Sequence, residues 1–185
     1  MTREELGGLL VERALLEGDF VLRSGRRSSW YLDKYRFETD PTILHELGES
    51  LAGAVRECEP DAVRLAGPAL GAVALAASAA MASGLPFIIV RGETKEYGTA
   101  KRIEGAFEHG ELVCLLEDVV TSGGALAEAV SAVREEGLVV RRAVCVVDRE
   151  EGGSDALARL GVRLAALFRA SELLELRKIP GKRDG

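Results

Sequence analysis

The stretch 112–125 constrains the fold of this chain more than any other part of its sequence. It begins with a continuous apolar run, of the kind expected for a strand that is buried on both faces. Two carboxylates, Glu117 and Asp118, follow where that strand is expected to end. Two valines, a loop of Thr, Ser and Gly residues at 121–124, and a helical pattern come next. The predicted order is strand, acidic pair, small polar loop and helix.

This order suits the binding of a sugar phosphate. A loop of small residues lets several backbone N–H groups point at one anion, and the following helix adds the positive end of its dipole. The hydroxyls of Thr121 and Ser122 add two donors. Glu117 and Asp118 suit ribose hydroxyls or, through water, a metal. Loops of this kind also occur without a ligand. The pattern alone is therefore compatible with a phosphate site and with an ordinary strand–loop–helix connection.

Beyond residue 61, short apolar runs alternate with helical patterns. This rhythm predicts a mostly parallel sheet with helices on both faces. Ligands in such sheets bind at the carboxyl ends of the strands, where the acidic pair, Gly67-Pro68, Arg91 and Asp148-Arg149 all fall. Strands are predicted at 62–66, 86–90, 112–116, 139–147 and 162–168, and helices at 70–83, 154–160 and 171–176.

The first sixty residues are less regular. Apolar spacing predicts a helix over 2–17, followed by strands at 20–22 and 29–37. Asp40-Pro41 is typical of a helix start, with an N-cap followed by proline in the first turn, and the helix should run to about residue 57.

The stretch 112–125 resembles the phosphoribosyl pyrophosphate (PRPP) signature of the type I phosphoribosyltransferases, with Glu117 where many members have Asp. The resemblance implies PRPP binding by one continuous set of residues: Glu117, Asp118, Val119, Val120, Thr121, Ser122, Gly123, Gly124 and Ala125.

The segment 91–110 is longer than the about 12–15 residues beyond which an irregular loop needs an explanation. It carries four basic residues, Arg91, Lys95, Lys101 and Arg102, and has little apolar content, so it is either a solvated excursion or a mobile lid over a polyanion. Its sequence V-R-G-E-T-K-E-Y-G-T resembles the flexible catalytic loop of the orotate phosphoribosyltransferase family. The resemblance implies catalytic roles for Lys95 and Arg91, together with Asp118 of the PRPP signature. It also implies PRPP contact by Arg91, Lys95 and Tyr97, and a homodimer in which the loop completes the neighbouring subunit's site. Gly92 departs from the family, where many members have lysine; Lys101 or Arg102 are candidates to replace it.

Three further stretches resemble the same family. G-P-A-L-G at 67–71 matches its pyrophosphate loop, which assigns pyrophosphate to Ala69, Leu70 and Gly71, although many bacterial members have lysine at the Gly71 position. The segments F-V-L-R-S-G-R-R-S, followed by W-Y, and V-V-D-R match its orotate-binding parts. They assign orotate, together with the shared loop threonine, to Arg23, Ser24, Trp30, Tyr31, Thr121 and Arg149.

Composition and charge argue against a nucleic-acid-binding, membrane-spanning or secreted protein. The chain has 185 residues, a net charge of −6 and three cysteines without metal or disulfide spacing. The charge argues against nucleic acid as a partner, and no apolar run approaches the roughly 20 residues that span a membrane. The N-terminus lacks the apolar region of a signal peptide, so we expect a cytoplasmic protein.

We therefore expect an α/β fold like that of the type I phosphoribosyltransferases, as one domain over 1–185. N-terminal hood elements would cover about 1–38, the flexible loop about 92–110 and a frayed tail about 177–185. The resemblance implies transfer of phosphoribosyl from PRPP to orotate in pyrimidine synthesis. It also implies Mg²⁺ held mainly by PRPP and water, with no direct protein ligand. The alternatives are a purine phosphoribosyltransferase and a non-catalytic, PRPP-sensing regulator on the same fold.

Overall fold

The computed structural model describes residues 1–21, 25, 27–92 and 102–178. The N-terminal elements pack beside a larger sheet, and the remaining elements alternate between strands and helices. The N-terminal elements are α1 (Arg3–Ala14), β1 (Leu15–Val21), β2 (Arg27–Leu32), α2 (Lys34–Glu38) and α3 (Pro41–Cys58). The others are β3 (Arg64–Pro68), α4 (Gly71–Ser83), β4 (Phe87–Val90), β5 (Ile103–Glu104), β6 (Leu112–Val120), α5 (Gly124–Glu135), β7 (Val139–Asp148), α6 (Gly153–Ala158), β8 (Arg163–Arg169) and α7 (Ala170–Lys178).

The larger sheet has six strands in the order β5-β4-β3-β6-β7-β8. All neighbouring pairs are parallel except β4 and β5, which are antiparallel. Alternate residues of β6 enter two separate apolar clusters, one against α3 and α4 and the other against α5. The α/β class with a mostly parallel sheet flanked by helices is therefore confirmed.

The N-terminal elements differ in part from the prediction. Helix α1 ends at Ala14 rather than at residue 17, because Leu15 and Leu16 pair with β2 as part of an antiparallel two-stranded sheet. The predicted strand 29–37 is wrong in its second half: β2 ends at Leu32, and the short helix α2 follows. This helical turn buries Phe37 completely, which a continued strand would not do. The Asp40 cap is confirmed, with its carboxylate accepting two backbone N–H groups of α3.

Strand β6 extends through the acidic pair to Val120, so the prediction that it ends before Glu117 is wrong. The valines that follow the acids pair with Val147 and Asp148 of β7, and this pairing carries the strand four residues further. Glu117 and Asp118 therefore lie within the sheet and are buried. In the same way, the predicted break at Gly67-Pro68 lies inside β3, and the chain turns at Ala69.

Helix α7 packs against helix α1 at the side of the sheet. A Cβ on Gly7 of α1 would lie 2.8 Å from Leu176 Cδ1 and 3.0 Å from Phe168 Cε1, so glycine allows the close approach. Arg3 of α1 donates to Glu172 Oε2 of α7 at 2.8 Å. The predicted frayed tail begins too early, because Arg177 still belongs to α7 and pairs with Glu17; the rest of it lies outside the described residues. Within the described ranges, no helix is both long and apolar enough to cross a bilayer.

Candidate active site

The loop after β6 forms an open cradle at the carboxyl edge of the sheet. It borders a cavity of about 330 Å³, and the side chains of Thr121 and Ser122 are exposed there. Gly123 has φ +81°, a conformation that favours glycine, and helix α5 begins at the next residue. The cavity is lined by Glu117, Val119, Val120, Thr121, Ser122, Gly123, Gly124, Ala125, Leu126 and Glu128. The helix start and the hydroxyls make this cradle suitable for a phosphate group.

The cradle is supported from behind by the start of helix α6, a helix that was predicted from the sequence without this contact. A Cβ on Gly153 would lie 2.4 Å from Val120 Cγ1 and 2.7 Å from the carbonyl oxygen of Thr121. A Cβ on Gly123 would in turn lie 3.0 Å from Gly153 Cα. The two glycines thus let the backbones of the cradle and α6 touch. The pair G-G at 152–153 was the available signal, since a close backbone approach often requires glycine.

The two acids of β6 contact different parts of the site, as expected for neighbouring residues of a strand. Glu117 lines the phosphate cavity, whereas Asp118 faces the turn after β3. A Cβ on Gly71 would lie only 1.7 Å from Asp118 Oδ2. The carboxylate of Asp118 also accepts the N–H of Val119, which fixes its orientation. The structure therefore brings the predicted pyrophosphate loop and the predicted ribose-binding acid into direct contact.

Two residues of helix α2, absent from the sequence prediction, complete this cluster. Lys34 Nζ lies 2.6 Å from Asp118 Oδ2, and Glu38 is 5% exposed beside the same carboxylate. Burial tends to lower the pKa of Lys34, but the hydrogen bond to Asp118 and its charge outweigh this and raise it. No sequence signal marked these two residues, because a short helix carrying them was read as a strand.

Two carboxyl groups near the Lys34–Asp118 pair, those of Glu117 and Glu38, have raised pKa values. Burial, followed by the charge of Asp118, raises the pKa of Glu117 to about 8. The same two causes raise the pKa of Glu38 to about 8. Near neutral pH these two groups are therefore largely protonated, and the ion pair between Lys34 and Asp118 is the main charged contact of the cluster.

Arg91 lies at the carboxyl end of β4 and lines a second, smaller cavity of about 70 Å³. The guanidinium of Arg91 is 3.5 Å from the carboxylate of Glu104. The backbone N–H of Arg91 donates to the carbonyl oxygen of Arg102 at 2.8 Å. Ala69 of the pyrophosphate loop and Ala125 of the phosphate cradle line the same cavity. The side chains of Arg91 and Arg102 thus line a cavity between these two loops, at the base of the segment predicted to be a lid.

Arg149 follows directly after the last residue of β7, and its backbone N–H donates to the carbonyl oxygen of Val120 at 2.8 Å. Its guanidinium carbon lies 4.2 Å from the ring centroid of Trp30, so the N-terminal sheet and the main sheet meet here through a cation–π contact. Tyr31, the next residue of β2, packs instead on Phe20, with ring centroids 5.6 Å apart. The structure therefore brings Arg149 and Trp30 together and places Tyr31 apart from them.

The remaining predicted site residues lie outside the described residues. They are Arg23, Ser24, Lys95, Tyr97 and, as a possible substitute cation, Lys101. Leu70 is described; it is 72% exposed at the turn between Ala69 and Gly71.

A parallel sheet with a phosphate cradle after β6, an acid facing the turn after β3, and a separate N-terminal sheet at its carboxyl edge is the architecture of the type I phosphoribosyltransferases. No protein-family model matches the chain. It is 48% identical over 157 residues to an orotate phosphoribosyltransferase of Methanocella arvoryzae, covering 85% of this chain and 88% of that protein. The chain belongs to the orotate phosphoribosyltransferase family.

Solved structures agree with this assignment. The crystal structure of orotate phosphoribosyltransferase from Aeropyrum pernix matches with a TM-score of 0.82 and 36% identity, covering 92% of this chain and 96% of that one. The Mycobacterium tuberculosis orotate phosphoribosyltransferase, solved in complex with PRPP, matches with a TM-score of 0.78 and 28% identity, covering 92% and 98%.

Proposed function

We propose that this protein is an orotate phosphoribosyltransferase, which converts orotate and PRPP into orotidine 5′-monophosphate and pyrophosphate. In this reaction a ring nitrogen of orotate gives up its proton and forms a bond to C1 of the ribose, while the bond from C1 to the pyrophosphate oxygen breaks and its electron pair leaves with pyrophosphate. The observation that carries the proposal is the arrangement at one edge of the sheet. Arg149 stacks on Trp30, and its backbone N–H donates to Val120, the residue directly before the phosphate cradle.

The cradle at 121–125 would bind the 5′-phosphate through backbone N–H groups and the hydroxyls of Thr121 and Ser122. Asp118, which is buried and held by the N–H of Val119, would bind a ribose hydroxyl. Catalysis would then come mainly from positioning the two substrates and stabilising charge that develops as the bond to pyrophosphate breaks.

Arg149 would bind orotate. Its guanidinium can donate two parallel hydrogen bonds to a planar carboxylate, and its contact with Trp30 would fix the plane in which it does so. Arg91 would face the pyrophosphate, with Ala69 and Ala125 on either side of the same cavity. Lys95, assigned by resemblance alone, would join Arg91 when the loop closes.

Mg²⁺ is proposed as the cofactor, carried mainly by PRPP. The donors present fit this: Asp118 offers the oxygen ligands that Mg²⁺ prefers, whereas Glu117 is largely protonated near neutral pH and contacts a different part of the site, so the two do not form a closed protein cage. When bound, the metal would neutralise the leaving pyrophosphate. Asp118 would hold the ribose hydroxyls or the waters around the metal.

The homodimer with a shared loop, the cytoplasmic location and the single domain over 1–185 are also proposals. They rest on the sequence resemblance and on the absence of a linker in the sequence.

The absorbance of orotate tests the proposed reaction directly. Mixing the protein with orotate, PRPP and Mg²⁺ should remove the orotate band, and omission of either PRPP or Mg²⁺ should prevent the loss. If the band persists while PRPP still binds, the base assignment is wrong, and a panel of purine bases should be tried. Tight, salt-sensitive binding to nucleic acid without turnover would instead favour the regulator.

A further inference from the structure

Lys34 lies between Asp118 and the loop that would hold the pyrophosphate of PRPP. Its ammonium lies 2.6 Å from Asp118 Oδ2 and reaches this carboxylate from helix α2 of the N-terminal part. A Cβ on Gly71 would lie 2.5 Å from Lys34 Nζ. The ammonium therefore lies directly against the backbone of the pyrophosphate loop, in space that a side chain at residue 71 would fill.

The charges around this point leave Lys34 as the cation best placed for an anion. Three carboxyl groups, those of Glu38, Glu117 and Asp118, are each less than 10% exposed at this end of the sheet. Glu38 and Glu117 are largely protonated near neutral pH, but the carboxylate of Asp118 would repel a polyanionic substrate, which therefore needs a neighbouring positive charge. Within the described ranges, Lys34 is the basic side chain that contacts Asp118.

The two partners of this ion pair differ in their freedom to move. The side chain of Asp118 is 4% exposed and is also held by the N–H of Val119. The side chain of Lys34 is 32% exposed and consists of a flexible four-carbon stem with three rotatable donors. If a substrate hydroxyl takes the carboxylate, the ammonium is the group that can turn towards solvent and towards a second ligand.

We infer that Lys34 binds the pyrophosphate part of PRPP, and that its ion pair with Asp118 is the resting arrangement which the substrate replaces. This inference rests on the proposed function. In the bound state Asp118 would hold the ribose, while the ammonium of Lys34 would bind phosphate oxygens beside the backbone of Ala69, Leu70 and Gly71. The N-terminal part of the chain would then contribute to PRPP binding as well as to orotate binding.

A simpler role must be separated from this one, namely that Lys34 only orients Asp118. The two roles differ in which part of PRPP loses affinity. Loss of a direct contact weakens pyrophosphate, whereas loss of orientation at Asp118 weakens the ribose. Binding of Mg²⁺-pyrophosphate and of ribose 5-phosphate, each measured alone by calorimetry, distinguishes them.

The variant Lys34→Met in the full chain keeps much of the side-chain volume and removes the charge. A hydrogen bond to a charged group carries enough free energy that its loss should weaken PRPP and Mg²⁺-pyrophosphate about tenfold to hundredfold. Affinity for ribose 5-phosphate and the KM for orotate should change less than about twofold by the same argument. Arg36→Met is the matched control, because Arg36 is an exposed residue of the same helix that pairs with Asp33; it should leave all these constants unchanged.

Lys34→Gln provides a second variant if the methionine disturbs folding, because the amide can still donate to Asp118. It should show the same selective loss for pyrophosphate, and Lys34→Arg should recover part of it. Unchanged PRPP and pyrophosphate binding in both neutral variants would overturn the inference. An equal or larger loss for ribose 5-phosphate would overturn it in favour of the orienting role. If the wild-type protein binds PRPP but does not consume orotate, the proposed reaction fails while the Lys34 comparison remains decisive.

Discussion

The substitution Gly71→Ala tests the close contact between the pyrophosphate loop and Asp118. Gly71 opens helix α4 without a left-handed backbone conformation, so alanine is compatible with its local structure. The added Cβ, however, would lie 1.7 Å from Asp118 Oδ2 and 2.9 Å from its Cγ, whereas ordinary contacts begin near 3.4 Å. The carboxylate must therefore move, and rotation would break its bond to the N–H of Val119.

The required displacement sets the size of the expected effect. The oxygen must shift by about 1.5 Å, and misplacing a positioning group by about 1 Å can cost about a hundredfold in rate. We therefore expect kcat/KM for PRPP to fall about a hundredfold, equivalent to about 2.7 kcal/mol of transition-state stabilisation. The assay is the loss of orotate absorbance at varied PRPP, accompanied by a thermal melt to verify folding.

Gly8→Ala is the matched control, because Gly8 lies in helix α1 and a Cβ there has no atom within 4 Å. It should leave the kinetics unchanged and stabilise the fold by about 0.5–1 kcal/mol, since alanine favours a helix interior over glycine. A folded Gly71→Ala protein whose kcat/KM stays within about threefold of wild type would refute the reasoning, by showing that Asp118 need not hold its observed position.

Three further changes probe the charges of the same fold. Asp118→Asn should lower kcat/KM for PRPP at least about tenfold with the melting temperature retained, because a neutral amide binds ribose hydroxyls less strongly than a carboxylate; an unchanged KM and kcat would remove the ribose role. Glu38 has its pKa raised from 4.5 to about 8 by burial and by Asp118, so the folded state binds its proton more strongly than the unfolded state does. The resulting stabilisation is complete below pH 4.5 and is lost as the pH rises through about 8, so Glu38→Gln should make the free energy of unfolding, measured by urea titration, decline less steeply across this window. Arg64→Met breaks a paired contact to Glu111, with distances of 2.6 and 2.9 Å, at the amino ends of β3 and β6. It should lower the free energy of unfolding by about 1–3 kcal/mol and leave kcat/KM unchanged, and a loss of activity without a loss of stability would contradict this assignment.

Much of the main sheet could be predicted because its strands are buried on both faces. Such strands appear as continuous apolar runs, and β4, β6, β7 and β8 were each located to within a few residues. The N-terminal part was harder. Helix α2 has only five residues, and the i, i+2 spacing of Tyr35 and Phe37 is typical of one face of a strand. In the structure Phe37 is buried and Tyr35 is exposed, which the helical turn allows and a shared strand face would not. Tertiary packing decides between the two, and the sequence pattern does not contain it.

The candidate site was predictable where its function depends on consecutive residues. The cradle at 121–125 is formed by consecutive residues, so its sequence carries most of the arrangement; the contact with Gly153 of α6 is the part that it does not carry. The contact of Lys34 with Asp118 joins residues 84 positions apart through the packing of α2 on the sheet, and a local pattern cannot encode it. The burial that raises the pKa of Glu117 was missed for a related reason, because the strand was expected to end before the acids.

The packing of helix α7 on helix α1 has a consequence for the order in which the site forms during synthesis. Helix α1 leads directly into the small sheet that carries Trp30, and Ala14 at its end accepts the N–H of Asp33. The phosphate cradle leaves the ribosome well before α7, and at roughly 5–20 residues per second the interval to Arg177 lasts roughly 3–10 s. A nascent chain can therefore form the cradle at 121–125 first, while the small sheet that carries Trp30 is fixed in place only after helix α7 packs on α1.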